Sequence, residues 1–242
     1  SIMKTFHHLI VNQIQESDLQ QLKGHCFVFP TKRGGVFFKR ALLQKYGHHD
    51  FMLPTIFSIE DFVQRMTGLS ITDELTLLFH LFKIYQKRDQ DLEFDAFYAW
   101  GKVILKDYDE IDRYLANAKQ IYSDLQSIKE IDHVFGYNDE FREIIARFRT
   151  LTEKQDKTKL LTEFLKIWKE VGAVYEDFQG ELLKEEKAYG GMLYRNLASV
   201  LSQDHFEHPF DYYHFCGFNA LSKSEEVIFD ALVKAKRAQL YW

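Results

Sequence analysis

Two short apolar runs near the start of the chain each meet a Pro-Thr pair, and the residues beside them could hold a polyanion. FVFPTKRGG places Thr31, Lys32 and Arg33 after the first run, and LPTIFSIED places Thr55 and Ser58 in the second. An apolar strand that stops at a hydroxyl and continues into cations and two glycines suits the phosphate-facing edge of an open α/β sheet, where ligands collect at strand carboxyl ends. The same residues also suit a structural role. Thr31 and Ser58 fit as helix N-caps, and Ser58 with Asp61 has capping-box spacing.

Nucleotide and metal chemistry leave no comparable signature. A P-loop needs glycines for close backbone approach to phosphate, followed by Lys and Ser or Thr. The pair Gly101-Lys102 continues into Val103, with Ala96 where the loop's first glycine would stand. Glu185-Glu186-Lys187 imitates the second half of a PD-(D/E)XK nuclease motif, yet Pro30, Pro54 and Pro209 are not followed by Asp, and this Lys/Glu-rich stretch reads as a solvated helix face. The run DYDEID at 107–112 lacks the calcium-loop Gly and Glu at its sixth and twelfth positions, Asp112 and Ala118, and reads as the acidic first turn of a helix. His205, Glu207, His208 and His214 match no common metal-site spacing, and no nucleophile-base pair has a local signature. The expectation is a chain with no catalytic residues, no metal and no cofactor.

Those candidate residues must be positioned by a folded chain, and the composition supports one. The 242 residues are 46% apolar and 16% aromatic, with 22 Phe and 13 Tyr against 3 Pro, which suits long helices packed on many ring anchors. A net charge of −5 means that any nucleic-acid surface is a local patch. Cys26 and Cys216 lie far apart in apolar runs without a CxxC pair, which points to free thiols in a reducing, cytoplasmic setting. No apolar stretch approaches the ~18 residues of a membrane span, and the start has no signal-peptide pattern. Ser1-Ile2 ahead of Met3 reads as an expression scar, and the apolar run AKRAQLYW reads as a cut from something longer.

Residues 5–22 read as one helix, CFVFP at 26–30 as a strand covered on both faces, 35–46 as a helix and FMLPTIF at 51–57 as a second strand. Further strands are expected at 211–218 and 237–242, around the helix SKSEEVIFDALVKAK. Between them the pattern is helical. Leu75, Leu78, Phe79, Phe82 and Tyr85 form one stripe, Ile111, Tyr114, Leu115, Ala118, Tyr122 and Leu125 another, and helices are expected at 138–150, 158–179 and 181–202. The predicted organisation is a discontinuous α/β domain, 1–67 with 204–242, interrupted by a helical subdomain at 68–203.

Taken together, FVFPTKRGGVFFKRAL, LPTIFSIEDFVQRMTG, FYAWGKVILKDYDEIDRYL, AYGGMLYRNLA and HFCGFNALSKSEEVIFDAL resemble, in order, the amino-terminal part of AddB-like PD-(D/E)XK nuclease family proteins. That region of the family is an inactivated superfamily 1 helicase domain. The resemblance implies a degenerate RecA-like parallel sheet of the P-loop NTPase kind with a large helical insertion, from the front end of a DNA-repair helicase-nuclease whose nuclease lies downstream. It assigns FVFPTKR to helicase motif Ia and LPTIFSIED to the next DNA-facing segment, so Thr31, Lys32, Arg33, Thr55 and Ser58 become candidate contacts to single-stranded DNA. In FCGFNAL, Cys216 and Gly217 stand where active relatives carry the Walker B carboxylates, and Asn219 stands in place of a Gln and joins the DNA-binding candidates.

Without those acids nothing positions Mg²⁺ and the attacking water, so this fragment is expected not to be an enzyme. Its expected partners are single-stranded DNA and either a helicase-nuclease partner subunit or the downstream nuclease domain, with no membrane. One rival is a protein-interaction module that docks a motor subunit or the nuclease without DNA affinity of its own. The other is an active nucleotide hydrolase using an unfamiliar loop.

Overall fold

The structure is a computed structural model that describes residues 2–124 and 157–242. Its contacts divide the chain into one unit of residues 1–69 and 193–242 and a second of residues 70–192. The first is α/β. Four parallel strands, β1 His25–Phe29, β2 Thr55–Ser58, β5 Tyr212–Cys216 and β6 Ala238–Tyr241, lie in the order β2-β1-β5-β6. The central strands HCFVF and YYHFC are continuously apolar but for their histidines, because both sheet faces are covered.

Helices α1 (Ile2–Gln13) and α2 (Lys32–Tyr46) cover the face that carries Phe27, Phe29 and Cys216. On the opposite face Phe215 stacks on Phe229 of α9 (Lys223–Lys234) at 4.0 Å between ring centroids and meets Phe62 of α3 (Ile59–Thr67) edge-on. The helix predicted over residues 5–22 divides into α1 and a 3₁₀ segment at Glu16–Gly24. Gln15 is extended there, and its N–H donates to the Asp18 carboxylate at 3.3 Å, a local bond that starts a new turn in place of continuing the old one.

Among its described residues the second unit is helical apart from two short paired strands, β3 (Ser70–Ile71) and β4 (Lys187–Ala188). Its helices are α4 (Glu74–Gln86), α5 (Phe94–Arg113), α6 (Ala118–Asp124) and α7 (Lys157–Lys184), and α8 (Gly190–Leu201) begins in it. Tyr85 and Tyr108 donate across to the backbone carbonyls of Ile167 and Val171 in α7 at 3.0 and 2.6 Å. The core stripe of α4 is Leu77, Leu78, Leu81, Ile84 and Tyr85, which leaves Leu75 and Phe79 exposed. ELTLLFHLFKIYQ is apolar on nearly every side, so two stripes satisfy helical spacing and only the packing partners select one.

The stripe expected over 111–125 is broken as well. α5 ends at Arg113, Leu115 takes a left-handed φ of 53°, and Tyr114 is exposed. The separation expected near residue 180 falls at 185–189, around β4. The helix expected at 138–150 lies outside the described residues.

Candidate nucleic-acid interface

Parallel pairing brings the segments that follow β1, β2 and β5 to one edge of the sheet. Phe29 is level with Ser58, and Val28 with Phe215. Thr31, Lys32, Arg33 and Ser58 on one side, and Gly217 and Asn219 on the other, therefore sit at the carboxyl edge, with neighbouring strands about 4.8 Å apart. The chain leaves β1 toward β2 and leaves β5 toward β6, in opposite directions along the sheet. That reversal is the kind of point where open α/β sheets bind ligands.

Thr55 does not join them. It begins β2 opposite Cys26, at the amino edge, about 10 Å along the strand from Ser58. The apolar run FMLPTIF predicts a strand over 51–57, but Pro54 has no N–H to give a ladder, and the strand starts only after it.

The hydroxyls at the carboxyl edge act as caps. Thr31 is extended at φ −135° and its Oγ1 accepts the Gly34 N–H at 3.4 Å, while Ser58 Oγ accepts the Asp61 N–H at 3.2 Å. Ser58 is buried, so its role is to start α3, whereas Thr31, Lys32, Arg33 and Asn219 are exposed. The two glycines of TKRGG serve packing. A Cβ on Gly34 would stand 3.2 Å from the Phe29 side chain, and one on Gly35 would stand 2.8 Å from Ile56, so their absence lets α2 lie close on β1 and β2. The β1–α2 connection is Pro30 and Thr31 alone, too short to wrap a phosphate in the manner of a P-loop.

Electrostatics single out α2 among the three helices that start at this edge. α3 carries Glu60 and Asp61 in its first turn, and α9 carries Glu225 and Glu226, which offset the positive end of each helix dipole. α2 has no acid in its first turn and begins Lys32-Arg33. Lys32 lies 3.8 Å from Asp61 with its side chain 79% exposed, a separation that leaves its charge available to a ligand. Arg33 lies over the Phe37 ring, 5.5 Å from its centroid.

Cys216 and Gly217 offer little to a metal. Cys216 is fully buried in the α1–α2 face, and burial pushes its thiol pKa well up. Gly217 has no side chain to offer, and its left-handed φ of 76° is one that glycine adopts without strain. Among the described residues no group of three His, Cys, Asp or Glu side chains could hold a metal ion. His214, counted with His205, Glu207 and His208 in the sequence, instead bonds within the sheet to His25 Nδ1 at 2.8 Å and to the Tyr241 hydroxyl at 2.9 Å. No protein-family model and no curated protein matches this chain.

Acids in the second unit do structural work that sequence reasoning missed. DYDEID lies in the last turns of α5, not in a first turn. Asp109 accepts from Arg113 Nε and from the Gly191 N–H, both at 2.6 Å, and a Cβ on Gly191 would come within 2.2 Å of the Asp109 carbonyl oxygen. Asp112 is fully buried and accepts from the hydroxyls of Tyr175 and Tyr189 and from Gln179 Nε2. The segments DYDEIDRYL and AYGGMLYRNLA thus meet each other. Glu185 and Glu186 are exposed and follow the end of α7, where Glu186 takes a left-handed φ of 54°.

Proposed function

We propose that this chain is a non-catalytic DNA-binding and scaffolding module, an inactivated superfamily 1 helicase domain of degenerate RecA-like fold from the front end of an AddB-like helicase-nuclease. The observation that carries the reading is the start of α2. A helix that opens on Lys32-Arg33, without acids in its first turn, stands beside the point where the parallel sheet changes direction. Lys32 and Arg33 hold sugar-phosphate oxygens of single-stranded DNA, the exposed Thr31 hydroxyl donates to a neighbouring phosphate, and Asn219 reaches the strand from the β5–α9 connection. Free, buried Cys26 and Cys216 suit the reducing cytoplasm in which such a module would work.

Lys32→Ala with Arg33→Ala is expected to weaken binding to oligothymidylate and to mixed sequences alike. The log-log salt slope should fall by roughly 1–2, at about 0.7 per phosphate contact on a single strand. Fluorescence anisotropy across a salt series measures both quantities. Unchanged affinity and slope in a folded double variant would leave these residues as surface groups and overturn the DNA reading.

Nucleotide is not the ligand in this proposal, because a two-residue β1–α2 connection and the packed Gly34 and Gly35 leave no phosphate cradle at the end of β1. Calorimetric titration of Mg-ATP is expected to show no binding. A micromolar dissociation constant, on the order of −8 kcal/mol, would favour the hydrolase reading in its place.

A further inference from the structure

The sequence of α2, KRGGVFFKRALLQKY, holds five cations and no acid, in a chain whose net charge is −5. Helical spacing gathers Lys32, Arg33, Val36, Lys39, Arg40 and Leu43 on one solvent-facing stripe, and all six are exposed. Val36 is 57% and Leu43 43% exposed, seven residues and about 10.5 Å apart along the axis. Arg33, Lys39 and Arg40 make no ion pair among the described residues. A stripe whose two aliphatic anchors flank the unpaired Lys39 and Arg40 is complementary to a chain with apolar residues at helical spacing and carboxylates beside them.

We propose that this face of α2 docks an acidic amphipathic helix of a partner protein. Two leucine-type side chains of the partner, seven residues apart, lie against Val36 and Leu43, and flanking Glu or Asp pair with Lys39 and Arg40. A nucleic acid fits the stripe less well. Its middle presents aliphatic side chains and no free ring for a base to stack on, because Arg33 and Arg40 both lie over Phe37, at 5.5 and 6.0 Å from its centroid. The proposal does not depend on DNA binding at the carboxyl edge, since Val36 and Leu43 lie one and three turns further along α2.

A fluorescein-labelled helical peptide about five turns long, with leucines at i, i+3 and i+7 flanked by glutamates, tests it by anisotropy against the whole chain. A peptide of the same composition in scrambled order is the control. Val36→Ser with Leu43→Ser, and separately Lys39→Glu with Arg40→Glu, are each expected to weaken binding of the patterned peptide at least roughly tenfold, about 1.4 kcal/mol. The scrambled peptide should bind comparably weakly, and oligothymidylate affinity should be unchanged in Val36→Ser with Leu43→Ser. All four positions are exposed, so the variants should keep the native circular dichroism and melting curve.

No binding of the patterned peptide, or equal binding by the serine variant, would overturn the proposal. So would a matching loss of oligothymidylate affinity in the serine variant, which would make the stripe a nucleic-acid track. Self-association in sedimentation velocity that the serine variant abolishes would assign the face to a second copy of this chain instead. Peptide binding with no oligothymidylate binding would uphold the docking face while the DNA reading fails.

Discussion

Replacing Asp112 with Ala is expected to destabilise the helical unit by roughly 3 kcal/mol or more. The carboxylate is fully buried, and the donors to its two oxygens include the Tyr175 hydroxyl at 2.5 Å, Gln179 Nε2 at 3.0 Å and the Tyr189 hydroxyl. Removing it strands the hydroxyl of Tyr189, which is buried and cannot turn to water for a substitute, while half-buried Gln179 keeps its bond to the Tyr189 oxygen at 2.9 Å. Asp112→Asn should cost less. Its carbonyl oxygen can accept from Tyr189 and Gln179, and the Tyr175 hydroxyl can rotate to accept from the new amide. Trp100 and Trp168 are both buried in this unit, so denaturant unfolding followed by tryptophan fluorescence reads the effect. Equal midpoints for wild type and Asp112→Ala would show that the cluster contributes no net stability.

The elements legible in the sequence are those whose local pattern has one packing solution. HCFVF and YYHFC are apolar without helical period, and each is followed by a hydroxyl residue that caps the next helix, so β1, α2, β5 and α9 fall close to their expected places. Where two solutions satisfy the pattern, partners distant in sequence decide. α4 is apolar all round, and the choice of Leu77 and Leu81 over Leu75 and Phe79 depends on α5 and α7. Asp112 carries no motif in the sequence, and the donors Tyr175, Gln179 and Tyr189 lie 63 to 77 residues away.

The candidate site shows the same division. Lys32 and Arg33 are legible because they stand two residues past an apolar strand, whereas Thr55 is not, because the apolar run 51–57 hides the strand start that Pro54 imposes. Lys39 and Arg40 were in reach of the sequence, since they repeat Lys32 and Arg33 at a spacing of seven. That stripe faces outward because the opposite face of α2 buries Phe38, Ala41, Leu42 and Tyr46 and seats Gly34 and Gly35 close on β1 and β2.

Acid is expected to weaken the α/β unit through His214. The ring lies within the sheet, stacked on Phe27 at 4.0 Å with planes 4° apart, and hydrogen-bonded to His25 and the Tyr241 hydroxyl. Burial, with a smaller contribution from the His25 charge, pushes its pKa down to about 3, and burial lowers that of His25 as well. In the unfolded chain His214 binds a proton near its ordinary value of 6.5. Between these two values the unfolded state carries the extra proton, so stability is complete above about pH 6.5 and falls as pH drops toward 3. The slope is about 1.4 kcal/mol per pH unit, or roughly 3 kcal/mol lost between pH 6.5 and 4 from this one group. His214→Phe keeps a ring against Phe27 and removes the titration. Carboxylates titrate equally in both proteins, so the difference in stability between wild type and variant should change by roughly 3 kcal/mol in the variant's favour over that range. Urea midpoints at pH 7, 6, 5 and 4 that stay parallel for the two proteins would show that His214 takes up its proton as readily in the folded sheet as in the unfolded chain.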